Sequence, residues 1–402
     1  MLRAWAPSYN DIPNALPASA GITTQGMLSY FLFWIIQLPL LLIHPTKLRP
    51  LFWIKLVAAP TAALATMGWC VREAGGGGEI FALRPTVTGS RYAWLWLSCM
   101  SSVTGNWSTL AVNIPDFTRY ARTARGQAVQ LPFMPVVFTL CGVLGIVTTS
   151  ASKVFSGTYL WNPLDIIAIW LDHGPGGRCA AFFAALAWYI AQVGTNITAN
   201  SISAANDLTV LCPRWVNIRR GCVIAAVIGG WAIVPWKILS SAQTFLAFMG
   251  GYAVFLGPIA GIMAADYWLV KRGHVDVPGL YDPRGRYRYK GGCNWRAAAA
   301  FLIPVAPLLP GLGQSITPES VHIGSGLSNL YSFNWLFGFV CSIVLYTALS
   351  YAFPAKDTLL DETVWDVMPP AILAQPTESD VERGVKSTER MEKMDDPFSK
   401  TL

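Results

Sequence analysis

One stretch of the chain, ALAWYIAQVGTNITANSISAANDL, gathers Gln192, Thr195, Asn196, Thr198, Asn200, Ser201 and Ser203 in otherwise apolar surroundings. Asn196 and Asn200 are four residues apart and Gln192 lies one turn earlier, so a helix puts all three on one face. A carboxamide offers a donor and an acceptor side by side, which matches the amide edge of a nucleobase or a hydantoin ring. Hydroxyl and amide groups also bind membrane helices to one another. Seven of them in one stretch exceed what such adhesion needs, and polar residues at membrane depth face a bundle interior or a pathway.

A second stretch, RYAWLWLSCMSSVTGNWSTLAVNIPDFTRYAR, places Thr104, Gly105 and Asn106 in the middle of an apolar run, with Trp107 directly after them. A helix broken there exposes backbone N–H and C=O groups that are tolerated at mid-membrane only where they line a cavity. Trp107 beside the break could stack on a flat ring. The other reading is a glycine packing site with a tryptophan turned to lipid, and periodicity alone favours that one. In a third stretch, AQTFLAFMGGYAVFLGPIAGIMAADYWLV, Phe245, Phe248, Met249 and Tyr252 recur at helical spacing. Such a stripe is more often core packing than a gate. The acidic residues that could bind a coupling cation are Asp116, Asp207 and Asp266, each near basic neighbours that make structural ion pairing the expected role.

Enzyme chemistry has no foothold. The chain lacks a G-x-S-x-G, H-E-x-x-H or Walker-type loop, and none of its four His pairs with a plausible nucleophile. The eight Cys include no C-x-x-C pair, so neither a disulfide framework nor a metal site is indicated. No cofactor is called for. Two glycosylation sequons, at Asn106 and Asn196, fall inside apolar runs that a glycosylating enzyme does not reach.

The elements that must position these groups are membrane helices. Only 13% of the 402 residues are charged and mean hydropathy is +0.42, too little charge to cover the outside of a soluble core, since average domains carry about 25%. Nine apolar runs are long enough to act as spans, at about 27–44, 51–71, 92–113, 131–152, 179–205, 222–236, 243–270, 297–310 and 334–353. Pro304, Pro307 and Pro310 predict a kinked or irregular eighth span. The basic residues behind the net charge of +7 sit in short loops, so topology rather than nucleic acid accounts for them. Loops after the first, third, fifth and seventh spans are the most basic, which puts them and the tail in the cytoplasm. The expected organisation is an outside loop at 1–26, a transmembrane body at 27–353 and a polar, disordered tail at 354–402. The loop 1–26 lacks the layout of a secretory signal and reads as the middle of a longer loop.

The chain resembles the fungal uracil/allantoin/uridine permease branch of the nucleobase–cation symporter family. The stretches that carry the resemblance are IPNALPASAGITT, GNWSTLAVNIPDFTRYAR, VGTNITANSISAANDLTVLCPRWVNIRRG, FLGPIAGIMAADYWLVKRG, LYDPRGRYRYKGGCNWRA and NWLFGF. Their occurrence together, in this order, is far more specific than any one of them.

The resemblance implies an all-α polytopic bundle of twelve spans, with two inverted five-helix repeats and two further helices. The nine spans then match the family's fourth to twelfth, and the first three are expected to precede Met1. By the match, Trp107 falls where a sixth-span tryptophan stacks on the substrate ring, with Gly105 and Asn106 beside it. Asn200 falls at the eighth-span asparagine that hydrogen-bonds the substrate amide, with Asn196 next to it. Gly194, Thr195 and Thr198 lie where sodium-coupled bacterial relatives build part of a cation site, and Phe245, Phe248, Met249 and Tyr252 match tenth-span gate and selectivity positions. The implied activity is import of uracil, allantoin, uridine or a related ring with a proton, across the plasma membrane. Lipid, a small-molecule substrate and the proton are the implied partners, with no nucleic acid. The alternative is a truncated, transport-inactive fragment of such a permease.

Overall fold

A computed structural model describes residues 1–43, 45–84, 86–118, 124–239 and 241–365. Helices dominate, because a backbone in hydrocarbon has only its own groups to bond with and a helix satisfies them within one segment. Seven helical stretches among the described residues are long and apolar enough to cross a membrane: Ala18–Leu41, Arg49–Ala74, Gly126–Ser156, Gly174–Leu211, Gln243–Val270, Lys290–Ile316 and Asn334–Ala352. They answer to seven of the nine expected spans. The third expected span is divided into α3 (Gly89–Asn106) and α4 (Ser108–Asn113), and the sixth is short, being α8 (Ile218–Val227) followed by a π turn at Ile228–Ala232. The eighth is irregular as its prolines predict: α10 (Trp295–Val305), a 3-10 turn at Ala306–Leu308, then α11 (Leu309–Ile316).

The chain forms two compact units, Met1–Ala253 and Val254–Leu402. In the first, α1 (Thr24–Leu41), α2 (Arg49–Ala74), α5 (Gln130–Ser156) and α6 (Gly174–Thr195) supply the long spans, and α6 runs on through a π segment, Asn196–Ile202, into α7 (Ser203–Leu211). α2 packs along both α5 and α6. Leu41, Val193, Ile197, Ala205, Cys222 and Ala226 form a buried cluster that joins α1, the α6–α7 run and α8. Polar anchors fix the same contact, with Tyr30 Oη donating to the Gly230 carbonyl at 2.5 Å and Trp34 Nε1 to that of Ala226 at 3.0 Å. Gly221 lets α8 approach α7 closely, since a Cβ there would lie 2.8 Å from Ala205 Cα.

In the second unit the later part of α9 (Ala242–Ala264) packs on α12 (Asn334–Ala352) through small residues. A Cβ on Gly257 would sit 2.7 Å from the Trp335 carbonyl oxygen, one on Gly261 would overlap that of Phe339, and one on Gly338 would meet Pro258 Cδ at 2.7 Å. Ser342 Oγ adds a 2.8 Å bond to the Ala300 carbonyl on α10. At one end of these helices Asp266 accepts from Lys271 Nζ at 2.6 Å and from Tyr346 Oη at 2.7 Å, and Asn294 Nδ2 donates to Tyr346 Oη at 3.1 Å. Asp266 thus has the ion-pairing role expected of it. Burial raises the Tyr289 phenol above its ordinary value, and its hydrogen bonds to Thr358 and Tyr346 act the other way.

The tail departs from expectation at its start. Residues 354–365, expected to be disordered, form a strap: Lys356–Thr358 makes a 3-10 turn, Thr358 is buried, and Val364 pairs with Asp276 in a parallel bridge. Thr358 is its one buried residue among the described ones, Val364 is half-buried and Leu359 stays exposed. Residues 366–402 lie outside the described residues.

Gly261→Ala is expected to destabilise the second unit by about 1–3 kcal/mol, because backbone rather than a mobile side chain stands in the way. Gly326→Ala, in the helix Ser325–Tyr331 with open space around it, is the control and is expected to be neutral or mildly stabilising. Thermal unfolding of the two variants in detergent checks this; equal midpoints would contradict the close backbone approach.

Candidate functional site

The polar stretch singled out in the sequence is where α6 changes its winding. The helix is α-helical to Thr195 and π-helical from Asn196 to Ile202. Such π bulges are uncommon and concentrate at functional sites, since the wider turn displaces side chains from the regular 3.6-residue register. A row of amides runs across this segment. Asn200 Nδ2 donates to Asn196 Oδ1 at 2.8 Å, and Asn196 Nδ2 donates to Gln37 Oε1 at 3.0 Å. Gln37, on α1, is buried, Asn196 is half-buried and Asn200 is exposed. The row therefore ends on an accessible carboxamide, whose Oδ1 and second N–H are available to a ligand.

Gly194, Thr195 and Thr198 lie on the same run. Thr198 Oγ1 turns back to the Gly194 and Thr195 carbonyls at 2.9 and 3.2 Å. Gly194 is buried, and Thr195 Oγ1 accepts from Lys55 Nζ of α2 at 2.7 Å.

The break foreseen at Thr104–Asn106 falls at Trp107, which leaves the helical region at φ −108°, ψ 6° between α3 and α4. Gly105 is buried against α9, where a Cβ would lie 3.4 Å from Ala253 Cβ and 3.7 Å from the Met249 carbonyl oxygen. The glycine is thus a packing site, and the helix is interrupted two residues later. The Trp107 ring is 37% exposed and lies 4.3 Å from that of Phe138 on α5, tilted by 55°. Among the described residues no hydrogen bond or ring contact joins Trp107 to Asn196 or Asn200. α4 does reach the polar run further on, where Asn113 Nδ2 donates to Ser203 Oγ and Ser203 Oγ donates to Asp116 Oδ2 at 3.0 Å.

Three of the four gate positions meet on α9. Phe248 and Tyr252 pack edge to face at 5.8 Å, and Tyr252 Oη donates to Met249 Sδ at 3.0 Å. Tyr252 also hydrogen-bonds Thr109 of α4. Phe245 has no ring contact among the described residues. Tyr252 and the Met249 carbonyl thus lie against the helices on either side of the break, the first at Thr109 and the second at Gly105. Of the acidic candidates, Asp116 and Asp207 form no ion pair among the described residues. Two of the basic neighbours that suggested one for Asp116, Arg119 and Arg122, lie outside those residues. No group of three His, Cys, Asp or Glu converges as a metal site among the described residues. Two residues that sequence reading passed over complete the site: Gln37 and Lys55. Each is a strongly polar side chain alone in the interior of an apolar span, and that solitude was a usable signal.

A cavity of about 210 Å³ lies elsewhere in the first unit, lined by Thr66, Cys141, Thr148, Trp161, Ile166 and Trp188 among others, and includes none of the site residues.

The sequence pattern of a family described as permeases for cytosine/purines, uracil, thiamine and allantoin matches residues 1–338. The chain belongs to this permease family. An uncharacterized permease of Schizosaccharomyces pombe is 40% identical over 379 residues, which is 94% of this chain and 67% of that one. The uracil permease of Saccharomyces cerevisiae is 32% identical, covering 89% of this chain and 58% of its own length. The allantoin permease of the same yeast is 34% identical, covering 86% and 56%. The chain therefore spans between a little over half and two thirds of these relatives. Two solved structures share the fold at 22% and 23% identity, each with a TM-score of 0.56. They are Mhp1 in an inward-facing conformation, covering 85% of this chain and 69% of Mhp1, and the same nucleobase-cation-symport-1 family transporter closed with bromovinylhydantoin bound, covering 83% and 70%. The permease chain thus has the inverted-repeat transporter fold.

In this chain, Asn196→Ala is expected to cost about 1–3 kcal/mol, since it leaves the buried Gln37 acceptor without its partner. Asn200→Ala, at the exposed end of the row, is expected to change stability by less than about 0.5 kcal/mol. Tryptophan fluorescence melts of the two variants distinguish them, and equal losses would argue against a row anchored at Gln37.

Proposed function

We propose that this chain carries a flat, amide-bearing ring such as uracil, allantoin or uridine across a membrane, by alternating access of the helices around the α6–α7 run. The observation that carries the reading is the row of amides ending on the accessible Asn200, set in a π segment of a membrane span. Asn200 and Asn196 supply the hydrogen-bond donor and acceptor for the ring's amide edge, Trp107 supplies a stacking face at its break, with Gly105 and Asn106 in the last helical turn before it, and Phe245, Phe248, Met249 and Tyr252 control access. Family membership and the names of the uracil and allantoin relatives support the substrate class. The coupling ion is a proton, the membrane is the plasma membrane, and the tail faces the cytoplasm, in keeping with the basic loops.

Uptake of radiolabelled uracil and allantoin by yeast that lack their own permeases and express this chain tests the reading. Accumulation above the empty-vector level is expected for at least one ring. Base–aromatic stacking is worth about 1–3 kcal/mol, so Trp107→Ala is expected to raise the apparent KM by roughly 5- to 150-fold. A surface-expressed chain with no uptake of either ring, or a Trp107→Ala variant with unchanged KM, would overturn it.

A further inference from the structure

The cavity of about 210 Å³ in the first unit stands apart from the amide row and is walled by three spans. α2 supplies Ala63 and Thr66, α5 supplies Thr148, and α6 supplies Trp188. Leu144, Leu160 and Ile166 help to make most of the wall apolar, and no charged residue lines it. An ion held there would lack a partner. Cys141 and Gly145, also on the wall, are exposed near the middle of the 27-residue α5, so the cavity is open at hydrocarbon depth. Its polar groups are few and specific. Thr66 Oγ1 donates to the Ala62 carbonyl at 2.8 Å and Thr148 Oγ1 to that of Leu144 at 2.6 Å. Both hydroxyl protons are engaged by backbone, and each oxygen can still accept. Trp188 Nε1 is buried and has no hydrogen-bond partner among the described residues. A buried donor left unmade is costly, and in a native interior it asks for a partner. The wall thus offers a donor together with acceptor oxygens, and a single hydroxyl complements both. At about 210 Å³ the space exceeds the roughly 150 Å³ of an engineered cavity that takes up benzene. A six-membered ring with a short arm fits.

We propose that this cavity is a second ligand site, for a small neutral molecule with an apolar body and one hydroxyl. The ligand oxygen accepts from Trp188 Nε1, its proton goes to Thr66 or Thr148 Oγ1, and the body lies against Leu144, Leu160 and Ile166. An apolar ligand without the hydroxyl leaves the indole N–H unmatched. A uracil or allantoin ring brings several N–H and C=O groups against a wall that matches only some of them, so the substrates of the proposed function are poor occupants. The site stands independently of that function. An occupant touches α2, α5 and α6 together, so its binding ties the span that carries the amide row to two neighbours.

The test uses the full chain purified in detergent and fluorine NMR of para-fluorobenzyl alcohol, with unlabelled competitors matched in concentration within the micelle. The wild type is expected to show a saturable bound component that excess benzyl alcohol displaces. Toluene is expected to displace it about tenfold more weakly, the worth of one hydrogen bond to a buried partner. Uracil is expected not to displace it. Trp188→Phe keeps an aromatic wall and removes the N–H, so benzyl alcohol and toluene are then expected to compete equally. Ala63→Phe fills the cavity and is expected to abolish the bound component. Absence of a saturable component in the wild type, or one that survives Ala63→Phe, would overturn the proposal. So would toluene or uracil competing as well as the alcohol, or a preference for the alcohol that persists in Trp188→Phe. Should Ala63→Phe fail to accumulate, the alcohol-to-toluene ratio in Trp188→Phe decides alone.

Discussion

Inside hydrocarbon, a polar group that leaves its helical partner finds no water to replace it, and that scarcity organises this chain. Most of its spans obey by staying regular. Besides the π turn at Ile228–Ala232, the departures among the described residues of the first unit include the interruption at Trp107 and the π winding from Asn196 to Ile202. Each is surrounded by compensation. The Trp107 N–H still reaches the Thr104 carbonyl at 3.0 Å, and the Thr198 hydroxyl covers the Gly194 and Thr195 carbonyls. Irregular backbone is thereby kept at the cost of dedicated side chains, and those side chains crowd the stretches where a ligand would be met.

Around these departures, the close helix contacts are made by what is missing rather than by what is present. Gly105 admits α9, Gly221 admits α7, and Gly257, Gly261 and Gly338 bring α9 and α12 together in the second unit. In a solvent as apolar as the side chains themselves, dispersion between near-touching backbones takes the place of the hydrophobic drive. The same glycines fix where neighbouring polar groups fall, so Gly194 has a second use as the floor on which the Lys55 stem lies.

Much of this was legible beforehand, for reasons that differ by level. Hydropathy alone located the spans, and the proline spacing foretold the irregular eighth one. The interruption of the third span was foreseen at Thr104–Asn106 and falls one residue later, at Trp107, while the sixth, expected as one regular run, ends in a π turn at Ile228–Ala232 that a window of apolar residues cannot see. Asn196 and Asn200 were visible as a local pattern on one face. Gln37 stood out only as a lone polar residue, and its partnership with Asn196 was not legible, since the bond joins positions 159 residues apart and pairing at that distance leaves no periodic trace. The strap at 354–365 was lost for a related reason: a polar sequence is held there by pairing with a loop some ninety residues earlier, through Asp276 and Gly273.

The amide row also has a direction. Every recorded donor in it points the same way, from Asn200 to Asn196 to Gln37. Carboxamides in series polarise one another, so the row behaves as a small chain of aligned dipoles. Reversing one amide would set donor against donor or acceptor against acceptor at its neighbour, so the members turn together or not at all. A ring that donates to Asn200 Oδ1 would reinforce the existing sense, while one that only accepts would use the second Asn200 N–H and leave that oxygen without a donor. The far end of the row lies on α1, and the hydrogen-bonding character of whatever meets Asn200 is thereby communicated to a different helix without any side chain having to travel.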